Sequence, residues 1–434
     1  MDTMEQLLGF SSFGKRKRSN QTPPKDRTKA VKVDYVAEQI DFLQAHSHLT
    51  LDELATTFDT TTTPSTESTT STDLFPLLIE ALESVLDAKT RLHDARLSAG
   101  AYREARALAN PWEALGRWKF VNRSAMKMAE LDARLHLTKS IGTRDLSFVD
   151  LCGAPGGFSE YLVFRANYEH VRGYGISIRV RGSSHLDWQL PPSMHDLVSI
   201  SFGADDTGDL YRQENMDHFV QSVLRRHATG VNLVVADGGF QDARNHSNQV
   251  ITFCARHELV MHRLVLCETL VMCRVLQRGG HFVCKAFELS SEFSVGLLWL
   301  LHHLFDEVAI VKPETSRPAS SERYIVGRGW RHFNPHGVIR HLAALNASFD
   351  QTPHSATSVV KMAELARDDK FLEFVQNSGI QYITTLATKQ VEAIDRILNI
   401  AHGTTARFDL IFLYLYGSEA TNSTAAAPVV NLPV

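Results

Sequence analysis

From residue 147 to about residue 330, short apolar runs alternate with helical patterns, and no other feature restricts the fold of this chain as much. The runs are SFVDLC, VRGYGISI, VNLVVAD, GGHFVCKAF, EVAIVKP and RYIVGRG. Helical patterns lie between most of them, notably at 157–167, 254–277 and 293–304. Strands that alternate with helices pack as a mostly parallel, twisted sheet with helices on both faces. The expected class is α/β.

Helical periodicity also flanks this region. It runs from Leu74 to about Ala99, with apolar residues at Leu77, Leu78, Ala81, Leu82, Val85 and Leu86. It returns over Asn122–Leu137 and over residues 335–402. The rest of the chain divides by composition. Residues 1–32 form a basic tail, expected to be disordered, in which Lys15, Arg16, Lys17 and Arg18 stand together and Lys25, Arg27, Lys29 and Lys32 follow. Such a run reads as a nuclear address or an RNA-contacting arm, and equally as a solvated tail. Residues 33–59 are expected as a short helical segment and 60–73 as a Thr/Ser-rich linker. Residues 74–330 are the sheet core with N-terminal helices, 331–416 a helical C-terminal extension and 417–434 a disordered tail.

Composition bears on several classes. At 434 residues, 44% of them hydrophobic, the chain can bury one large core or two ordinary ones. A formal net charge of −4 does not argue for nucleic-acid binding by the chain as a whole, which leaves a local patch. Cys152, Cys254, Cys267, Cys273 and Cys284 lie in apolar segments without zinc-ligand or CxxC spacing, so they read as reduced thiols of an intracellular protein. The opening MDTMEQLLGF lacks a signal-peptide pattern, and no apolar run is long enough to span a bilayer. The Asn-x-Ser/Thr matches at Asn122, Asn346 and Asn422 therefore read as chance, and no membrane partner is expected.

The first strand run leads into VDLCGAPGGFSEYL (149–162), where Gly153, Gly156 and Gly157 leave backbone uncovered just before a helix. In an open parallel sheet, ligands bind beyond the carboxyl ends of strands, and a helix start offers free N–H groups there. The turn reads GAPGG rather than GxGxxG, and GYGISIRV has no acid at the end of the next strand to hold a ribose. A P-loop would need GKS or GKT. Two readings remain: a site for the methionine end of S-adenosylmethionine, and a tight turn of purely structural purpose.

Charged residues fall where this architecture puts its chemistry. Asp237 ends NLVVAD, Lys285 ends HFVCK, Glu322 begins ERYIV, and Lys127 lies in the helix NRSAMKMAEL. Singly, each has an ordinary explanation as a solvated lysine or a turn-capping carboxylate. A lysine ending a buried strand is less ordinary, since lysine is seldom buried unpaired. Strand-end charges beside a glycine turn reinforce one another. The set suits methyl transfer to a hydroxyl. A neutral lysine can take the proton of a ribose 2′-OH, but its ordinary pKa of about 10.4 must first fall through burial and a second cation. Lys127 is placed for that second cation. Asp237 and Glu322 would orient the amines, and no metal is expected, because a sulfonium supplies the leaving group.

Together, VDLCGAPGGFSEYL, NRSAMKMAELD, VVADGGF, GGHFVCKAF and TSRPASSERYIV resemble the FtsJ/RrmJ-like ribose 2′-O-methyltransferases. Within that group they are most similar to the eukaryotic cap-specific mRNA (nucleoside-2′-O-)-methyltransferases of the cap 1 type. The flank ARALANPWEALGRWKFVNRSAMKMAELD is similar to the segment preceding their first catalytic lysine, and the likeness runs from about residue 90 to 400, including FLEFVQNSGIQYI. The resemblance implies a Rossmann-like class I methyltransferase core that uses S-adenosyl-L-methionine. It implies a K-D-K-E catalytic tetrad of Lys127, Asp237, Lys285 and Glu322, with Lys285 as proton acceptor. It implies cofactor contacts at Asn122, at Cys152, Gly153, Ala154, Pro155, Gly156, Gly157 and Phe158, and, on the adenosine side, at Asp209 and Leu210. It implies substrate contacts at Arg106, Ser320 and, at a differing spacing, Asp94.

Three departures stand out. QDARNHSNQVITFCARHE, after DGGF, is longer than the family's loop, so substrate contacts there, Arg256 among them, do not transfer. No glycine-rich G-patch module is found at the N-terminus. The chain ends before the guanylyltransferase-like and WW modules of animal members, which leaves partners of those modules unassigned.

A cap site stacks a cationic methylated guanine on an aromatic face. Trp112, Trp118, Trp188 and Phe240 are available, each taken singly better explained by core packing. Arg103, Arg106, Arg117, Lys119 and Arg123 form a basic stretch that suits RNA phosphates or a solvated helix face. The expected function is methylation of the ribose 2′-OH of the first transcribed nucleotide of capped mRNA, in the nucleus, with the cytoplasm as the alternative. The expected partners are the capped mRNA 5′ end and other capping or transcription machinery. Alternatives are a 2′-O-methyltransferase for the second cap nucleotide or for rRNA or tRNA, and a non-catalytic cap-binding scaffold.

Overall fold

The computed structural model of the chain describes residues 42–44, 49–61, 76–113, 115, 119–141, 145–179, 187–239, 253–332, 334–351 and 358–403. The strands are β1 (Phe42–Gln44), β2 (Leu146–Leu151), β3 (Val171–Ile176), β4 (Val198–Ser201), β5 (Val231–Ala236), β6 (Leu276–Ala286), β7 (Phe305–Val311) and β8 (Arg323–Trp330). They form one sheet in the order β1-β7-β8-β6-β5-β2-β3-β4. The ladders from β6 through β4 are all parallel, while β8 is antiparallel to both β6 and β7, and β1 is antiparallel to β7.

The helices are α1 (Leu51–Thr61), α2 (Pro76–Asp94), α3 (Ala99–Ala109), α4 (Ser124–Leu135), α5 (Gly157–Arg165), α6 (Gln213–Leu224), α7 (Phe253–Val275), α8 (Glu292–Leu304), α9 (His336–Gln351), α10 (Met362–Leu365), α11 (Asp369–Phe374) and α12 (Ile380–Ala401). They cover both faces of the sheet because the strands are apolar on both. In β2, side chains alternate between faces. Val149 and Leu151 join an apolar cluster with Phe219 of α6, Leu266 of α7 and Leu298 of α8. Leu146 and Phe148 join the opposite cluster with Met128 and Leu131 of α4 and Leu162 of α5. The flanks meet each other as well: Ile394 and Leu398 of α12 bury against Ala88 of α2, and Ile397 against Ala105 and Ala109 of α3. No helix among the described residues is long and apolar enough to cross a membrane.

The α/β class, the six strand runs and the helical C-terminal addition stand where the sequence places them. Three details differ. Within 33–59, expected as helical, β1 forms on the free edge of β7 before α1 begins. The helix expected to run to Ala99 stops at Asp94, because Ser98 caps a separate α3, its hydroxyl accepting from Ala101 N at 3.2 Å. VSIS adds a fifth parallel strand, β4, too short for its alternation to register. The basic tail, most of the Thr/Ser linker, Arg117, Trp118, Phe240, the loop to residue 252, the side chain of Arg256 and the C-terminal tail lie outside the described residues.

Candidate active site

The chain proceeds from β2 outward through β3 to β4, then returns to place β5 on the other side of β2. That reversal opens a crevice at the carboxyl ends of β2 and β5. The glycine turn leaves β2 there, and Asp237 leaves β5 there. Lys285 is the penultimate residue of β6, next to β5. Because β8 runs the opposite way, Glu322 just before it returns to the same edge, and Lys285 lies in register with Tyr324. Lys127 reaches in from the first turn of α4.

These side chains converge. The Lys127 ammonium lies 3.3 Å from Asp237 Oδ2 and 3.0 Å from Glu322 Oε1. The Lys285 ammonium donates to the Asp237 carbonyl at 2.8 Å and lies 3.2 Å from its Oδ1. Tyr324 donates its hydroxyl to Asp237 Oδ1 at 2.8 Å, and Ser316 donates to Glu322 Oε1 at 2.8 Å. Lys285 is buried, so its charge is paired rather than solvated. Burial pushes Glu322 up, but Lys127, Lys285 and Lys312 outweigh it and hold the carboxyl well below the usual range. Burial and then the Asp237 charge push the Tyr324 phenol well above its ordinary value, so it stays a donor.

The glycine turn is packed as tightly as it is bare. A Cβ at Gly153 would lie 2.4 Å from the Asp150 carboxyl, and one at Gly157 would lie 2.1 Å from Asn122 Oδ1. Gly156 has φ +111°, open to glycine at no steric cost. Asn122, placed in the sequence as a cofactor contact, therefore lies against this turn, where its Oδ1 accepts from Ser124 N at 3.0 Å and from the Ser124 hydroxyl. Beneath the turn, Asp150 is fully buried and accepts from Ser159 N (3.1 Å) and Oγ (2.6 Å). Its Oδ1 has no hydrogen-bond partner among the described residues. Burial raises the carboxyl to about 7, against the Ser159 hydroxyl and with help from the Asp237 charge. Asp209 and Leu210 lie in the loop after β4. Asp209 Oδ1 accepts from Tyr211 N at 2.9 Å, while Leu210 is core. At Gly208 a Cβ would lie 1.9 Å from the carbonyl of Ser177, so this loop abuts the end of β3.

On the substrate side, Ser320 sits two residues before Glu322 and accepts from Glu322 N at 3.2 Å. Arg106 lies in α3, its Nη2 3.4 Å from Glu113 Oε1, with Nε buried and without a partner among the described residues. Asp94 ends α2 exposed, and the structure shows no bond from it to the tetrad among the described residues. Trp188 packs against Gly156 and Gly175, at the glycine turn. Of the basic stretch, Arg106 and Arg123 converge with Arg317 on the carboxyl of Glu113, while Lys119 lies over the Phe164 ring. Glu113, Lys312, Ser316, Arg317 and Tyr324 are site residues that the sequence patterns do not single out. Only Tyr324, which opens the apolar run two residues after Glu322, carries a usable signal.

One further group of ligand-type side chains stands apart. His302, His303 and Asp368 cluster at the end of α8 and the start of α11. His303 Nδ1 accepts from Leu49 N at 3.2 Å and its Nε2 faces Asp368 at 3.2 Å, so the group ties three segments together.

Residues 120–330 match the FtsJ-like methyltransferase family. Cap-specific mRNA (nucleoside-2′-O-)-methyltransferase 1 of Danio rerio is 32% identical over 343 residues, 75% of this chain and 39% of that one. The protein of the same name from Mus musculus is 33% identical over 345 residues, with the same two coverages. The chain thus spans about 39% of the length of these curated relatives. Among solved structures, a ribosomal RNA methyltransferase from Plasmodium falciparum covers 49% of this chain and 98% of its own at 17% identity, with a TM-score of 0.35, a likeness too distant to carry an argument. The family match takes in β2 through β8, the glycine turn and all four residues of the lysine–carboxylate cluster, and the chain therefore carries an FtsJ-like methyltransferase domain at residues 120–330.

Proposed function

We propose that this chain transfers the methyl group of S-adenosylmethionine to the ribose 2′-OH of the first transcribed nucleotide of capped mRNA. The observation that carries the chemistry is the meeting of two lysines and two carboxylates within 3.0 to 3.4 Å at the strand ends beside a bare glycine turn. The names of the curated relatives carry the cap.

The turn fits the cofactor: it has no room for side chains of its own, and a buried carboxyl oxygen of Asp150 beneath it lacks a partner among the described residues. Asn122, Cys152 through Phe158, Asp209 and Leu210 would hold the cofactor. When bound, it supplies a methyl group on a sulfonium, already activated for transfer. The protein's own task is to ready the hydroxyl. The Lys285 amine takes the 2′-OH proton, and the Asp237 carbonyl, 2.8 Å away, aims that amine. The nearby Lys127 cation disfavours a proton on Lys285. Glu322 balances Lys127, and Tyr324 fixes the Asp237 carboxylate. Arg106, Ser320 and Asp94 are the RNA contacts in this reading.

The test is to incubate the protein with tritiated S-adenosylmethionine and short RNAs that are capped, N7-methyl-capped or bare triphosphate, then digest the product to locate the label. Label on the 2′-O of the first nucleotide, with capped RNA only and lost in Lys285→Ala, is the expected result. Label elsewhere, or equal label on uncapped RNA, overturns the substrate. No label with cofactor still bound overturns the enzyme reading in favour of a scaffold.

A further inference from the structure

We infer that Lys312 is a fifth working residue of this site, a positioning residue that holds Glu322 by its main chain while Lys127 holds it by its side chain. The inference rests on the methyl-transfer reading above. Lys312 directly follows β7. Its ammonium reaches across the mouth of the 313–322 loop to the carbonyls of Ser320 (2.6 Å) and Glu322 (2.7 Å). Its backbone N–H donates to the Tyr382 hydroxyl of α12 at 3.0 Å, which fixes the root of the side chain.

The loop is held at two places. Its far half is tied to α4. There Glu130 accepts from Glu314 N, Thr315 N and the Thr315 hydroxyl, each at 2.9 Å, and Arg123 donates to the Thr315 carbonyl at 2.8 Å. Its near half carries Ser320 and Glu322. There Gln390 donates to the Ala319 carbonyl at 3.2 Å, and Lys312 draws the carbonyls of residues 320 and 322 to one ammonium. That turn of the chain delivers the Glu322 carboxylate to Lys127 at 3.0 Å.

Charge acts beside geometry. The charged groups that face the Lys312 amine are Glu322, Arg323, Lys127 and Glu314. Burial lowers this amine to about 7. Glu322 and Glu314 oppose the drop, while Arg323 and Lys127 add to it. When protonated, Lys312 favours an ionised Glu322.

The experiment compares wild type, Lys312→Met and Lys312→Arg. Cofactor affinity, kcat against pH on capped RNA, and the titration of the Glu322 carboxyl by side-chain NMR are measured for each. Lys312→Met is expected to bind the cofactor as wild type does and to lose about 10- to 100-fold in kcat. With one cation fewer in the cluster, the rising limb of its pH profile moves to higher pH, as does the Glu322 midpoint. Lys312→Arg, which keeps the charge and the donors, recovers most of kcat. Wild-type kcat and an unmoved profile in Lys312→Met overturn the inference, as does a loss that arginine fails to rescue. If the methionine variant does not fold, the arginine variant decides alone: kcat within about tenfold of wild type supports the role, and a deeper loss in a folded, cofactor-binding protein refutes it. If the wild type transfers no methyl to any RNA, the functional reading fails. The Glu322 midpoint then still judges the inference, and a midpoint that does not move in Lys312→Met sinks it.

Discussion

Replacing Glu268 by glutamine should stabilise this protein more and more as pH rises from 5.5 to 7.5. Glu268 lies within α7 and has no exposed surface. The Cys284 thiol donates to its Oε2 at 3.4 Å. Among the described residues its Oε1 has no hydrogen-bond partner, and it faces Gly238, where a Cβ would come within 2.3 Å of it. Burial raises the carboxyl to about 8, against the Cys284 hydrogen bond and the Lys285 charge. An unfolded glutamate releases its proton near pH 4.3, so between about 4.3 and 8 the folded state alone keeps it. The contribution of Glu268 to stability is therefore full below about pH 4.3, falls by about 1.4 kcal/mol per pH unit above that, and levels off above about 8. From pH 5.5 to 7.5 the loss amounts to about 2–3 kcal/mol. Glutamine has the same shape and no proton to lose, so it escapes this slope. At about 2 °C per kcal/mol for a large domain, the gap in Tm between variant and wild type should widen by about 4–6 °C over that range. Thermal melts of both proteins at the two pH values measure it, and only the difference between the proteins counts, which cancels every other titrating group. A gap that stays constant would refute the raised carboxyl. A gap that narrows would mean that an ionised Glu268 is held by Lys285, and that burial loses to pairing here.

Three other outcomes follow from the geometry. Lys285→Met should reduce methyl transfer by about a thousandfold, in the range for loss of a general base, and leave cofactor affinity nearly unchanged, as read by tritium transfer beside calorimetry. Gly157→Ala should weaken cofactor binding by about tenfold or more, because its new Cβ would displace Asn122 Oδ1 from 2.1 Å away; unchanged affinity would remove Asn122 from the site. Ile397→Ala, buried where α12 meets α3, should cost about 2–4 kcal/mol, visible as a lower Tm, and a loss under about 0.5 kcal/mol would mean that the two flanks do not support each other.

Lys127, Asp237 and Lys285 can be found in the sequence because each interrupts an apolar pattern, whereas Glu322 closes a polar loop and is marked only by the apolar strand that follows it. Asp237 and Lys285 stand at the ends of buried strands, where a charge is anomalous, and parallel pairing of β5 and β6 brings those ends together without further information. The glycine turn is legible for a similar reason, since Gly153 and Gly157 stand where the fold admits no Cβ. The single acids in VDLC and LVLCETLVMC belong to this class too. An acid alone in an apolar segment must find a cation or keep its proton, and burial of Asp150 (to about 7) and Glu268 (to about 8) selects the proton. Other parts of the site have no such mark. Arg317 and Lys312 sit in KPETSRPASSE, an ordinary polar loop. Arg317 gains its partner Glu113 from 204 residues away, and Lys312 gains its carbonyls only once β7 and β8 fold back on each other. β1 is similar: three residues form a strand because β7 leaves an edge unpaired, not because FLQ prefers one. A charge inside an apolar run is conspicuous by its position. A charge in a polar loop acquires a function only from what the fold sets opposite it, and neither of the two segments records that pairing on its own.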